Sequence, residues 1–333
     1  MTKKIIAWAG NAYFAAHMRN AGHQVFVMPR NVPFLTWDDI VSRCGSPPDL
    51  FVYGDMSVTP FLKQVESFPC LTVFYAIDTH IHSWYGRYAQ AFDVCCVAMR
   101  DHMTGFSGHR LQKGQVFWLP LFSKDHDRRI APETSPPFDL IFVGKNDPHI
   151  TPGRFRLLKY LAEHVPLEVR QGSYPELYGQ ARLVLNISEH GDLNFRVFEA
   201  LGCGACLVTP RVGHGLLELF RDGTDLFTYE MGDRDGLVRL IRDVLANEKR
   251  RRAVADSGLT LVNARHRAVH RSAELMEMLE GIDGGRLVAS RLAETEAIRQ
   301  EYLRLLYLHF AETEPSTERA SMYLDFAGRG LAR

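Results

Sequence analysis

Two α/β domains, each built on a parallel, doubly wound sheet, are what this sequence predicts, and three observations predict them. Short apolar runs alternate with amphipathic segments at ~20–25-residue spacing, the pattern of repeated strand–helix–strand units. A proline-rich segment without apolar periodicity, residues 123–137 (SKDHDRRIAPETSPP), interrupts the alternation, which then restarts. A chain of 333 residues also has room for two cores, because domains cluster near ~100–200 residues.

Taken in order, the first half carries six apolar runs that read as strands: 3–9 (KKIIAWA), 24–28, 49–54, 70–77, 94–98 and 115–120. Helical stretches lie between them; in 11–22 (NAYFAAHMRNAG), Asn11 is placed to cap a helix and Gly22 to stop it. After the interruption, 138–144 (FDLIFVG) reads as a strand and Thr151-Pro152 as a helix start. Strands follow at 166–172, 182–188 and 205–210, with a capping box in SYPE (173–176) and a helix at 194–202. Beyond residue 233 the pattern is helical. Residues 285–312 read as one amphipathic helix with Ile298, Tyr302, Leu305 and Leu306 on one face. The expected division is a first domain over 1–122, an exposed linker over 123–137, a second domain over 138–283, and C-terminal helices over 284–333. Two such domains imply a cleft, with ligands outside the carboxyl ends of the strands.

Composition narrows the function. At 46% hydrophobic and 23% charged residues the chain is globular, not disordered. Thirty-nine basic and 39 acidic residues balance, without the basic footprint of broad nucleic-acid binding. No apolar run approaches the ~18–20 residues of a membrane-spanning helix. Lys3-Lys4 followed by IIAWAG resembles a signal peptide only superficially, since the apolar stretch stops at Asn11 with no cleavage site; it reads as a first strand. Six cysteines, all in or beside apolar runs, read as buried reduced thiols and a cytoplasmic location.

Several chemistries lack their motifs. The turn after the first strand is AGNAYF (9–14), without a dinucleotide-binding glycine pattern, and no phosphate-loop, zinc-protease or serine-hydrolase signature occurs. Cys203 and Cys206 have redox spacing, but the first follows a helix instead of opening one, so both read as packing residues. Asp78-Thr79-His80-Ile81-His82 ends the strongest strand of the first half. An H-x-H pair can ligate zinc but needs a third protein ligand, and none is identifiable. The imidazoles could instead bond backbone, or, with Asp78, touch a polar substrate; their place at the end of a central strand favours the last.

The most informative segment is 188–210 (SEHGDLNFRVFEALGCGACLVTP). A polar loop enters a helix directly after a buried strand, with Asn194 as the expected N-cap and the N–H groups of Phe195, Arg196 and Val197 turned into the loop as an anion site. Arg196 places a cation in the first turn, where the helix dipole disfavours it unless an anion such as a diphosphate is its partner. Glu199, one turn on, can accept hydrogen bonds from vicinal hydroxyls. An Arg196–Glu199 ion pair on an ordinary amphipathic helix explains the same residues equally well.

This segment resembles the second domain of GT-B glycosyltransferases, whose donor loop and helix read E-x7-E before a small Gly-containing turn and an apolar strand. More narrowly, N-x-S…G-D-L-N-F-R-x-F-E-A-L-x-C-G is similar to CgeB-like (spore maturation type) glycosyltransferases, and the similarity runs diffusely through 138–280 and into 74–93 and 116–121 of the first half. The resemblance implies two Rossmann-like domains facing across a cleft, with C-terminal helices packing back on the first. It implies transfer of a sugar from a UDP- or GDP-type nucleotide sugar to a glycan or protein acceptor, with no metal. Glu199 takes the place of the second Glu, which binds the donor ribose; Asn194, Phe195 and Arg196 surround the diphosphate. The first Glu falls at Gly191, with Glu189 and Asp192 nearby but out of register, which puts the donor-sugar contact in question. By position, Lys145 and Arg154 add charge from the opposite wall, Tyr174 packs the base, and Asp78, His80 and His82 bind or deprotonate the acceptor. A nucleotide-sugar epimerase of the same fold and a non-catalytic nucleotide-sugar-binding protein are the alternatives.

Overall fold

The structure is a computed structural model that describes residues 2–130 and 136–328. Its chain forms two compact units: everything up to Pro120 together with the chain from Ser272 onward, and Leu121–Arg271. The first unit is built on β1 (Ile5–Gly10), β2 (Gln24–Val27), β3 (Leu50–Gly54), β4 (Leu71–Ala76), β5 (Val94–Val97) and β6 (Val116–Trp118). All neighbours pair in parallel, in the order β2-β1-β3-β4-β5-β6. Sheets of this kind are covered on both faces, so their strands need apolar residues at every position. Accordingly every residue of LFVYG in β3 and VCCV in β5 is buried.

The helices between these strands are α1 (Ala15–Asn20), α2 (Trp37–Cys44) and α3 (Tyr85–Tyr88). Helix α2 has the full set of local signals: a capping box between Thr36 and Asp39 and a left-handed Gly45 at its end. Helix α1 starts at Ala15, later than the sequence suggests, because Asn11 does not cap it. The Asn11 side chain donates to the Asp55 carbonyl at 2.6 Å, tying the end of β1 to the end of β3.

The second unit repeats the plan with β7 (Phe138–Val143), β8 (Leu167–Arg170), β9 (Ala181–Leu185), β10 (Leu207–Pro210) and β11 (Phe227–Tyr229), ordered β11-β10-β9-β7-β8 and parallel throughout. Strand β11 is three residues long, too short to announce itself by periodicity. Its helices are α4 (Pro152–Ala162), α5 (Tyr174–Gly179), α6 (Phe195–Gly202), α7 (Leu216–Leu219), α8 (Arg234–Ala246) and α9 (Glu248–Arg265). Ser173 stands at the N-cap of α5, but its side chain makes no capping bond and the capping box expected there is not formed.

Residues 125, 126 and 128–130 are exposed, as their composition suggests, but the segment is pinned at two points. Ser123 and Asp127 are fully buried. The Asp127 carboxylate accepts from the Ser123 hydroxyl and the Lys124 amide, and Arg267 donates to Ser123 Oγ at 2.8 Å. Ser123, Lys124 and Asp127 are the hydrogen-bonding groups that pin it. Residues 131–135 of the expected linker lie outside the described residues, as do 329–333 of the C-terminal segment.

The remaining helices are α10 (Ala268–Glu280), α11 (Gly284–Ala293), α12 (Thr295–Ile298), α13 (Arg304–Thr313) and α14 (Thr317–Gly328). The single helix expected over 285–312 is interrupted after Ala293 and again by a π-helical turn at Arg299–Leu303. The wider turn rotates the apolar face. Ile298, Leu303, Leu306, Tyr307 and Phe310 are buried, while Leu305, expected on the same face, is 59% exposed. Fully buried Arg291 of α11 binds the Asp93 carboxylate at 2.8 Å and the carbonyls of Glu66, Phe68 and Cys70, which ties α11 to the first unit. Among the described residues no helix is long and apolar enough to cross a membrane. All six cysteines are buried free thiols, and burial pushes Cys203 and Cys206 up to about 12, far from the thiolate a redox pair needs.

Candidate functional sites at two sheet edges

In a doubly wound sheet the ligand crevice opens where neighbouring strands send their connections in opposite directions. Strand order puts that point between β7 and β9 in the second unit and between β1 and β3 in the first. The residues singled out from the sequence fall beside these two points.

In the second unit the crevice is cationic. Phe142, near the end of β7, lies under two guanidinium groups: Arg196 of α6 at 5.2 Å and Arg154 of α4 at 5.6 Å from the ring centroid. Arg196 donates to Asn186 Oδ1 at 2.9 Å and more weakly to the Ile187 carbonyl. Asn186 is itself fixed, since its amide donates to Thr209 Oγ1 at 2.9 Å on the neighbouring strand and its carbonyl accepts from Tyr229. No carboxylate pairs with Arg196 among the described residues. Arg154 donates to the Lys145 carbonyl, and its Nε is 4.0 Å from the nearest Glu189 oxygen. Burial, and after it the charge of Arg196, lowers the Arg154 pKa: two like charges are held close in a half-buried place. The Lys145 side chain is exposed at the end of β7.

Helix α6 begins after Asn194, as expected, but the Asn194 side chain does not cap it and its buried Oδ1 has no hydrogen-bond partner. The Val197 N–H is also not available as expected, because it donates to the Asn194 carbonyl at 3.2 Å. Asp192 is buried and accepts from Ser188 at 2.6 Å, closing the loop that precedes the helix. The ion pair conceivable between Arg196 and Glu199 does not form. Glu199 instead binds Lys124 Nζ at 2.7 Å. That ammonium lies over the rings of Phe195 and Tyr174. The Tyr174 hydroxyl donates to Asp127 at 2.7 Å, and burial, with nearby Glu199 and Asp127, raises its pKa. Asn194, Phe195, Arg196 and Glu199 of α6, Lys145 and Arg154 beside β7, and Tyr174 of α5 therefore share the carboxyl edge of this sheet. Sequence reading missed Asn186 and Lys124. The first looks like any strand-end polar residue, and the second sits in an apparent linker.

In the first unit the crevice is organised by Asp55, which sequence reading also missed. It is 3% exposed and accepts from the Ile77 and Asp78 amides at 2.9 and 2.8 Å, from the Ser57 amide at 2.7 Å, and from the Tyr85 hydroxyl. Four donors on one carboxylate fix the loop after β4 against the loop after β3. The strands meet closely here: a Cβ on Gly10, whose φ is +76°, would collide with the Gly54 carbonyl. Asp78 lies beside Asp55, and burial first, then that neighbouring charge, raises its pKa. His82 Nε2 is 3.0 Å from Ser57 Oγ, and Ser57 is held at φ +58°. His102 Nδ1 meets Thr79 Oγ1 at 2.8 Å; burial, and next the charge of nearby His80, lowers its pKa. Asp78, His80 and His82 are thus brought into one cluster. Among the described residues no group of three side chains is placed to hold a metal ion.

The chain has the two-domain fold of GT-B glycosyltransferases, each domain a Rossmann-like parallel sheet. Its neighbours in structure include sucrose-phosphate synthase from Thermosynechococcus elongatus, with 11% identity and TM-score 0.55 over 84% of this chain and 99% of that one. Anabaena HepE in complex with UDP and glucose matches with 12% identity and TM-score 0.59 over 84% of this chain and 100% of its own. A glycosyltransferase from Rickettsia africae matches with 9% identity and TM-score 0.55 over 84% and 98%. Within the chain, residues 149–277 match the family described as glycosyl transferase-like, a span that contains α4, α6 and both arginines. No curated protein matches the chain in sequence.

Proposed function

We propose that the protein is a metal-independent glycosyltransferase of CgeB-like type, acting in the cytoplasm, which moves a sugar from a UDP- or GDP-type nucleotide sugar to a glycan or protein acceptor. The observation that carries this reading is the pair of guanidinium groups over Phe142, one of which, Arg196, has only neutral partners. Arg154 has Glu189 4.0 Å from its Nε, but Arg196 has no carboxylate partner among the described residues, and a half-buried cation met only by neutral groups is costly unless an anion completes the site. A diphosphate does so, and it belongs to the donor class bound by HepE, which is known in complex with UDP-glucose.

In such a transfer the bond from the anomeric carbon to the diphosphate oxygen breaks, and the acceptor oxygen forms the new bond to that carbon. Negative charge grows on the departing diphosphate. Arg196 and Arg154 stabilise it as fixed donors that need no reorganisation during the step, which is the work a metal ion does elsewhere. Asn186 keeps the Arg196 fork aimed, Lys145 supplies a further mobile charge, and Glu199 receives the ribose hydroxyls while Tyr174 packs the base. Asn194 and Phe195 shape the loop end of α6 around the diphosphate, and Asp192 holds that loop closed. On the acceptor side, Asp78 takes the proton of the attacking hydroxyl, its raised pKa making it a better base than an exposed carboxylate, with His80 and His82 binding the same acceptor.

The test is donor turnover. Purified protein given UDP- and GDP-sugars should release nucleoside diphosphate slowly without acceptor, and the rate should survive a chelator. A non-catalytic binding protein would show nucleotide binding and no release, and an epimerase would return an altered donor with no free diphosphate.

A further inference from the structure

Lys124 stands in a segment whose composition marks it as a connector, yet its ammonium is the direct partner of Glu199 at 2.7 Å. It rests 5.1 Å from the centroid of Phe195 and 5.6 Å from that of Tyr174. Its backbone is fixed as well. The Lys124 amide donates to Asp127 Oδ2 at 2.7 Å, and its carbonyl accepts from Arg267. Asp127, fully buried, also accepts from the Tyr174 hydroxyl. One carboxylate therefore sets both the lysine and a ring on which it rests, and the lysine sets Glu199. An ordinary surface ion pair has none of this support and contributes little.

Resting on the donor-site reading above, we propose that Lys124 is a positioning residue for the nucleotide ribose. It holds Glu199 by Oε1 and leaves Oε2 to accept from the ribose hydroxyls. It also offsets the carboxylate's charge, which otherwise repels the diphosphate gripped by Arg196 and Arg154. The start of the second unit, ahead of its first strand, thus takes part in donor recognition, and its lysine makes recognition depend on a ribose hydroxyl.

The experiment is calorimetric titration with UDP and GDP, and with the 2′-deoxy form of whichever binds. Wild type is compared with Lys124→Met, Lys124→Arg, Glu199→Gln and the Lys124→Met/Glu199→Gln double variant, each with its melting curve. Lys124→Met should weaken the ribonucleotide about tenfold and the 2′-deoxy form by less than about threefold. The same change in the Glu199→Gln background should cost less than about twofold, because the partner it positions is gone. Lys124→Arg should recover most of the loss. Should Lys124→Met melt abnormally, Lys124→Gln, which keeps length and polarity without charge, serves in its place with the same expected ratios. Equal losses on both nucleotides and in both backgrounds, or wild-type affinity in Lys124→Met, overturn the assignment while leaving the donor site intact. Failure of wild type to bind either nucleoside diphosphate overturns both.

Discussion

The two sheet edges share a topology and differ in how their charges are met. At the β7–β9 edge Arg154 has Glu189 4.0 Å from its Nε, but Arg196 has only neutral partners, so one guanidinium is left without a carboxylate among the described residues. At the β1–β3 edge the polar groups satisfy one another around Asp55, down to backbone amides and a tyrosine hydroxyl. Under the proposed function, the edge with the unpaired guanidinium takes the charged ligand. The other edge, closed by its own hydrogen bonds, holds a shape, and under the proposed function that shape receives the acceptor.

The largest expected effect breaks the closed edge. Asp55→Ala leaves two strand-end amides, the Ser57 amide and the Tyr85 hydroxyl without their acceptor, and should destabilise the protein by about 3–4 kcal/mol in chemical denaturation. A loss under about 1 kcal/mol would mean that Asp55 organises nothing. On the open edge, the proposed function predicts that Arg196→Ala lowers the rate of donor cleavage by about a hundredfold with a smaller change in melting, since its structural partners, Asn186 and the Ile187 carbonyl, are neutral. A destabilised protein with unchanged turnover would reverse the comparison. Glu199→Gln keeps size and packing and should weaken nucleoside diphosphate binding roughly ten- to a hundredfold in titration.

The smallest effect concerns pH. Because the folded-state pKa of Asp78 is raised, the folded state binds more protons than the unfolded one between the two values, and stability falls as pH rises through that window. Asp78→Asn should therefore melt higher than wild type at pH 7, with the gain vanishing as pH drops below the ordinary carboxylate range. A gain independent of pH would place the cause in packing, not in charge.

How legible the molecule is from its sequence follows from which interactions are local. Ten of the eleven strands announce themselves because buried parallel strands are continuous apolar runs; β11, with three residues, does not. The helix opened by Asn194 is legible from the loop and periodicity around it, and so are the arginine and glutamate that it carries. What escapes is the partnership of each side chain. Arg196 with Glu199 is as good a local pairing as any, and only tertiary structure sends the first to Asn186 and the second to Lys124, 75 residues away in sequence. Asp55 escapes for the same reason: its four donors come from three separate segments. The π-helical turn at Arg299–Leu303 escapes because one wider turn leaves almost no trace in an apolar period.

The central claim, that the open edge of the second unit binds the diphosphate of a nucleotide, is tested most directly by calorimetric titration of UDP and GDP into wild type, Arg154→Ala and Arg196→Ala at two salt concentrations. Wild type should bind one of the two, more weakly at higher salt, and each arginine variant should lose at least about tenfold in affinity with its melting transition intact. Wild-type affinity in both variants would contradict the account and move the nucleotide away from this edge.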